Sequence, residues 1–161
     1  AINTLGDASA GTTVTPTVAA VGTADNVVPA LGRLLIDVRV ESAQEKERVE
    51  AAMAALAAHD RHARIEVNGA LNRPPMPASA SAWLFGVAES VSRALGWASI
   101  AGVAVGGGSD GNFTAAIGVP TLDGLGAVGG GAHADHEFLV VDEMPGRVRL
   151  LAGILTVLQQ R

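Results

Sequence analysis

The chain has 161 residues, enough for one domain or two small ones. Apolar residues make up 48% and charged residues 17%, proportions that exclude a disordered chain. A formal charge of -5 without a basic run excludes a phosphate track for nucleic acid, and the absence of cysteine excludes disulfides, thiolate metal sites and a cysteine nucleophile. No apolar run reaches the roughly 18 residues of a membrane span. The opening AINTLGDASAG lacks an initiator Met and has neither the basic nor the apolar stretch of a signal peptide. We therefore expect a fragment or a processed chain, cytoplasmic, with a secreted or periplasmic location left open.

Thr12–Val21 alternates, with Val14, Val18 and Ala20 on one face, and reads as a strand that Pro16 places at an edge. After a turn and NVVP, Arg33–Val40 alternates too. Leu34, Ile36, Val38 and Val40 face one way, and Arg33, Asp37 and Arg39 face the other. Ser42 and Glu45 form a capping box for a helix carrying Val49, Ala52, Met53 and Leu56 and ending near His59. Ala63–Leu71 is expected as a third strand, giving β-β-α-β. The run NRPPMPASAS, without periodicity, is a connector and domain boundary.

Beyond it, a helix is expected over about Ser81–Leu95, with a stripe of Leu84, Val87, Val91 and Leu95 and a stop at Gly96. Ser99–Val105 reads as a buried strand. Ser109 caps a short helix that Gly118 ends, Pro120–Leu125 reads as another strand, and Asp142 caps a last helix with Val148, Leu151, Leu155 and Leu158 inward. This alternation is that of a layered α/β domain.

Chemistry concentrates between Gly106 and Glu137, where two glycine triplets flank the densest His/Asp/Glu cluster. His133, beside the small residues Gly131 and Ala132, reads either as a metal ligand or as a surface-loop histidine. His136 is three residues on, a spacing that chelates only in a helix. Asp135 and Glu137 read as ligands, supporting residues or helix caps. GGGSDG is not a phosphate-binding P-loop, since no Gly-Lys-Ser/Thr follows; it reads as an anion cradle or a tight turn. Arg39 and Arg73 offer planar guanidinium groups to a carboxylate, and Arg39 has an ion pair with Asp37 as its plainer role. No G-x-S-x-G is present.

Taken in order, GTADNVVPALGRLLIDVR, NRPPM, GGGSDGNF, GVPTLDGLG and GAHADHE resemble the C-terminal half of the M20 family of metallopeptidases. That family includes glutamate carboxypeptidase, succinyl-diaminopimelate desuccinylase and acetylornithine deacetylase. The resemblance covers about Thr12–Arg161. It implies an α/β fold with an α+β lid: residues 1–76 as the later part of a ferredoxin-like lid and dimerisation domain, and residues 77–161 as the C-terminal part of an α/β catalytic domain. It implies two zinc ions in the complete enzyme, with His133 as the one ligand supplied here. Asn26, Arg39 and Arg73 match substrate-carboxylate binders, and Gly106, Gly107 and Gly108 match the pocket wall.

The resemblance also marks what is missing. The family's H-x-D motif, bridging aspartate, Glu-Glu pair with its general base, and lid histidine have no counterpart among His59, His62, His133 and His136. Two zinc ions take roughly seven or eight ligand atoms. We expect no catalytic residue in this chain, no activity from it alone, and a missing N-terminal half as partner. A homodimer through the lid and a small peptide or N-acyl amino acid as substrate are also expected, with neither nucleic acid nor membrane. The alternatives are a non-catalytic dimerisation or binding module and, more weakly, a glycine-loop phosphate binder.

Overall fold

In a computed structural model, which describes residues 2–160, the first two alternating segments pair with each other. Strand β1 (Thr13–Val21) runs antiparallel to β2 (Gly32–Arg39), from Thr13 opposite Arg39 to Val21 opposite Gly32. The register shifts between Pro16 and Val18. Pro16 has no N–H to give the ladder, and Thr17 is the extra residue of the bulge. Its hydroxyl donates to the Leu35 carbonyl at 3.3 Å.

The bulge corrects the expected face. Val14 lies opposite Val38, whereas Val18 lies opposite Leu35, three residues back and therefore on the other side of the ribbon. Val14 is buried and Val18 is 54% exposed. Leu34 keeps its expected side of β2 but is 42% exposed, because the core reaches only Ile36, Val38 and Val40.

Helix α1 (Ala43–Ala54) starts where the sequence indicates, with the Ser42 hydroxyl accepting the Glu45 N–H at 3.2 Å. The reciprocal half of the capping box does not form. The Glu45 carboxylate instead accepts from the Thr12 hydroxyl and from Arg48, and these bonds, Arg48 first, hold it below the usual carboxylate range. Val49 and Met53 bury against Val14, ringed by Ile36, Val38, Val40 and Leu56. The helix ends at Ala54, short of His59.

The expected strand Ala63–Leu71 is not formed. The segment carries no strand pairing, and Ile65 and Val67 are about half exposed. An apolar alternation becomes a strand only where a neighbour completes its ladder. Here the Leu71 N–H bonds the Glu50 carboxylate at 3.3 Å instead.

The second set of elements is α2 (Ala78–Ala94), α3 (Gly111–Ala116), the two-residue strands β3 (Gly129–Gly130) and β4 (Phe138–Leu139), and α4 (Met144–Gln159). Helix α2 ends in the turn its sequence indicates. With φ 75° at Gly96, the Trp97 amide reaches the Ser92 carbonyl and the Gly96 amide reaches that of Arg93, both at 3.1 Å. Val87, Ala88 and Val91 of α2 pack on Leu150 and Ile154 of α4, with Trp97, Ile100, Leu122, Leu125 and Leu158 around them. Gly153 lets the two helices approach, since a Cβ there would strike Val91.

Four expectations fail in this part. Ser99–Val105 and Pro120–Leu125 are not strands, and Val103 and Val105 are largely exposed. Asp142 makes no cap; a 3-10 turn, Val141–Glu143, leads into α4. The inward face of α4 is Leu150 and Ile154 with Leu158, while Val148, Leu151 and Leu155 are exposed.

The fold is thus mixed α/β, with helices and two small antiparallel sheets. It divides into two compact units. One runs up to Met76 and includes Gly106–Gly108; the other comprises Pro77–Val105 and the chain from Ser109 onward. Among the described residues no helix is long and apolar enough to cross a membrane.

Candidate functional site

In the first unit, Arg39 ends β2 and Arg73 lies in the connector. Arg39 Nε donates to Asp37 Oδ2 at 2.8 Å, and its Nη1 donates to the Gly106 carbonyl at 3.3 Å. Arg73 Nη1 donates to the Gly108 carbonyl at 3.1 Å. Two guanidinium groups therefore face the backbone of the first glycine triplet. Gly107, between the two gripped residues, stands open, with nothing within 4 Å of where a Cβ would lie.

Asn26 is not brought to this cluster. It is exposed in the turn beyond the far end of the β1–β2 hairpin, whereas Arg39 sits at the hairpin's base. The residues between Arg39 and Gly32 span roughly 20 Å of strand at about 3.3 Å each.

After the triplet, the chain satisfies its own amides. The Gly111 N–H bonds the Ser109 hydroxyl at 3.1 Å, and the Ser109 N–H bonds Asn112 Oδ1 at 2.8 Å. These are the bonds of a tight turn into α3, and they occupy amides that an anion cradle requires.

In the second unit, β3 and β4 pair through Gly129 with Leu139 and Gly130 with Phe138, and the turn between them carries His133. Internal bonds shape that turn: Ala134 N–H to the Gly131 carbonyl at 2.8 Å and Glu137 N–H to that of Ala134 at 2.9 Å. His133 has φ 66°, and among the described residues no other non-glycine residue has positive φ. The left-handed conformation is disfavoured for a residue with a Cβ, and such strain gathers at functional positions. The His133 amide donates to Glu137 Oε2 at 3.3 Å, which gives Glu137 a supporting role at the turn.

An open hollow of about 480 Å³ lies beside the turn, lined by His133's neighbour Ala132 but not by His133 itself. Small residues line it, Ala127, Gly129, Gly130 and Ala132, together with Phe138 and Leu139; Glu137 is its one ionisable group. His133, Asp135, His136 and Glu137 are all exposed. Their closeness in sequence does not make a chelate. Among the described residues, no group of three or more His, Cys, Asp or Glu side chains is arranged to hold a metal ion. The donors present do not fit a complete metal centre.

Sequence reading missed Arg147. Its Nε donates to the Gly126 carbonyl at 2.8 Å and its Nη2 to the Gly124 carbonyl at 2.5 Å. A signal was there to find: a cation in the first turn of a helix, where the positive end of the helix dipole disfavours it.

A search of curated proteins gave no match. The model of Peptidase family M20/M25/M40 matches residues 4–157. Proteins of that family are peptidases, hydrolases that generally use metal ions. The match takes in nearly the whole chain, including β1, β2, the first glycine triplet and the His133 turn, and the chain belongs to peptidase family M20/M25/M40.

Proposed function

We propose that the chain is the C-terminal portion of a zinc-dependent M20-type carboxypeptidase or amidohydrolase that cleaves an amide bond in a small substrate with a free carboxylate. The observation that carries this reading is His133, held in a strained left-handed turn beside an open hollow, in a chain that the family matches over residues 4–157. Residues 1–76 then act as lid and dimerisation domain, and residues 77–161 complete the catalytic domain. His133 serves as one metal ligand. The other ligands come from polypeptide outside these 161 residues, since the described residues form no group of three or more donors arranged to hold a metal ion. No hydrolytic step is assigned to this chain alone.

Its own residues bind and orient. The Nη1 atoms of Arg39 and Arg73 donate to neutral carbonyls, while Arg39 Nε stays on Asp37, and a carboxylate is a better acceptor than a carbonyl for a guanidinium N–H by charge and by planar fit. A substrate carboxylate exchanges for those carbonyls, and the open backbone at Gly107, between Gly106 and Gly108, forms the adjoining wall. Asn26 lies a strand's length from Arg39, so it joins the same carboxylate only from a second copy of the chain. That geometry supports a homodimer formed through the lid. Holding the substrate in this way lowers the orientational cost of reaction.

The experiment joins the chain to a polypeptide supplying the H-x-D and Glu-Glu ligands and assays zinc content and amide hydrolysis. Zinc uptake and turnover are expected from the joined protein and from neither part alone. A joined protein that folds, yet holds no zinc and hydrolyses nothing, sinks the enzyme reading. It would favour the second one, a non-catalytic dimerisation or binding module, which rests on the lack of a ligand cluster among the described residues.

A further inference from the structure

The strands that frame His133 are too short to hold themselves. Their ladder has two residue pairs, and an isolated hairpin is marginal even when longer. One arm is secured by the chain: β4 passes through Val141–Glu143 directly into α4. The other arm, β3, follows residues 119–128, which form no strand. That stretch needs a tether. Leu122 and Leu125 supply an apolar one by packing on the α2–α4 core. Arg147 supplies a polar one, its fork spanning the carbonyls on either side of Leu125.

The position of Arg147 strengthens the point. It stands in the first turn of α4, just after the acidic pair Asp142 and Glu143, and a cation there opposes the helix dipole. Two carbonyl acceptors at 2.5 and 2.8 Å give the guanidinium a specific partner in place of water. A planar fork meets two acceptors at once, which a lysine ammonium does not reproduce.

We infer that Arg147 is a positioning residue for His133: it ties the β3 arm to the helix into which β4 runs, and so fixes the turn that presents the imidazole. The inference rests on the reading of His133 as a metal ligand. Amide hydrogen exchange on the 161-residue chain tests the tether without invoking metal. Arg147→Ala should speed exchange at Ala134, Glu137 and Val140 by about tenfold or more, with Val87 and Val91 of α2 unchanged, because only a local opening is released. Arg147→Lys should lie between the two. No acceleration at the turn, or an equal one in α2, overturns the tether.

Zinc affinity of the complete enzyme then separates the two layers. A loss in both Arg147→Ala and His133→Ala supports the positioning role. A loss in His133→Ala alone overturns it and leaves the ligand reading intact. No loss in His133→Ala overturns the ligand reading while the exchange result still stands.

Discussion

At the scale of single residues, His133 combines two things that seldom coincide, a Cβ and a left-handed backbone. That conformation costs an L-residue roughly 1–2 kcal/mol. Glycine at a regular position costs about 0.5–1 kcal/mol relative to alanine. His133→Gly should therefore leave the urea midpoint unchanged or slightly raised, while His133→Val should lower it; a clear loss for the glycine variant would contradict the strain. The ligand role proposed for His133 carries its own test: His133→Ala should reduce zinc occupancy in the complete enzyme by metal analysis. Arg39 gives a kinetic counterpart. On its proposed carboxylate-binding role, Arg39→Ala should raise KM for a carboxylate substrate roughly 10- to 150-fold, the equivalent of about 1.5–3 kcal/mol. An equal loss on a substrate whose carboxylate is capped would count against the assignment.

At the scale of elements, the hairpin, α1 and α4 were legible in different degrees. Strands β1 and β2 could be read because each has its partner within the chain, but the bulge at Thr17 was hidden, since alternation in one strand does not reveal an extra residue opposite the other. Helix α1 could be read from its cap, and Ser42→Ala should cost about 1 kcal/mol by denaturant unfolding. The face of α4 could not, because Val148, Leu150, Leu151, Ile154 and Leu155 make apolar residues available on more than one side. Only α2 decides which of them is buried, and the contact of Gly153 with Val91 marks the crossing. Gly153→Leu should therefore overpack it and cost about 1–3 kcal/mol.

The first unit also carries a pH signature. Bonds from Ser9, from Arg48 and from Lys46, respectively the main causes, hold Asp7, Glu45 and Glu50 below their ordinary values. Their contribution is present above the unfolded carboxylate range and is lost as pH falls through the lower folded values. Acid titration followed by circular dichroism should show stability declining from about pH 4.5 downward. A stability that rises on the same descent would contradict the sign.

At the scale of the whole molecule, the runs that failed as strands, 63–71, 99–105 and Pro120–Leu125, share one cause. Each carries apolar residues at strand-like positions, and none pairs with another strand among the described residues. The site was legible to a similar extent. Short motifs in order pointed to the family and singled out His133 as a candidate ligand, whereas Arg147 bonds backbone carbonyls more than twenty residues away, which no local motif encodes. The central claim is that this chain contributes one ligand to a two-zinc hydrolase and does not form the centre alone. Zinc stoichiometry of the purified 161-residue chain after dialysis tests it most directly: the account predicts no tightly held zinc, and two zinc ions retained by the chain alone would contradict it.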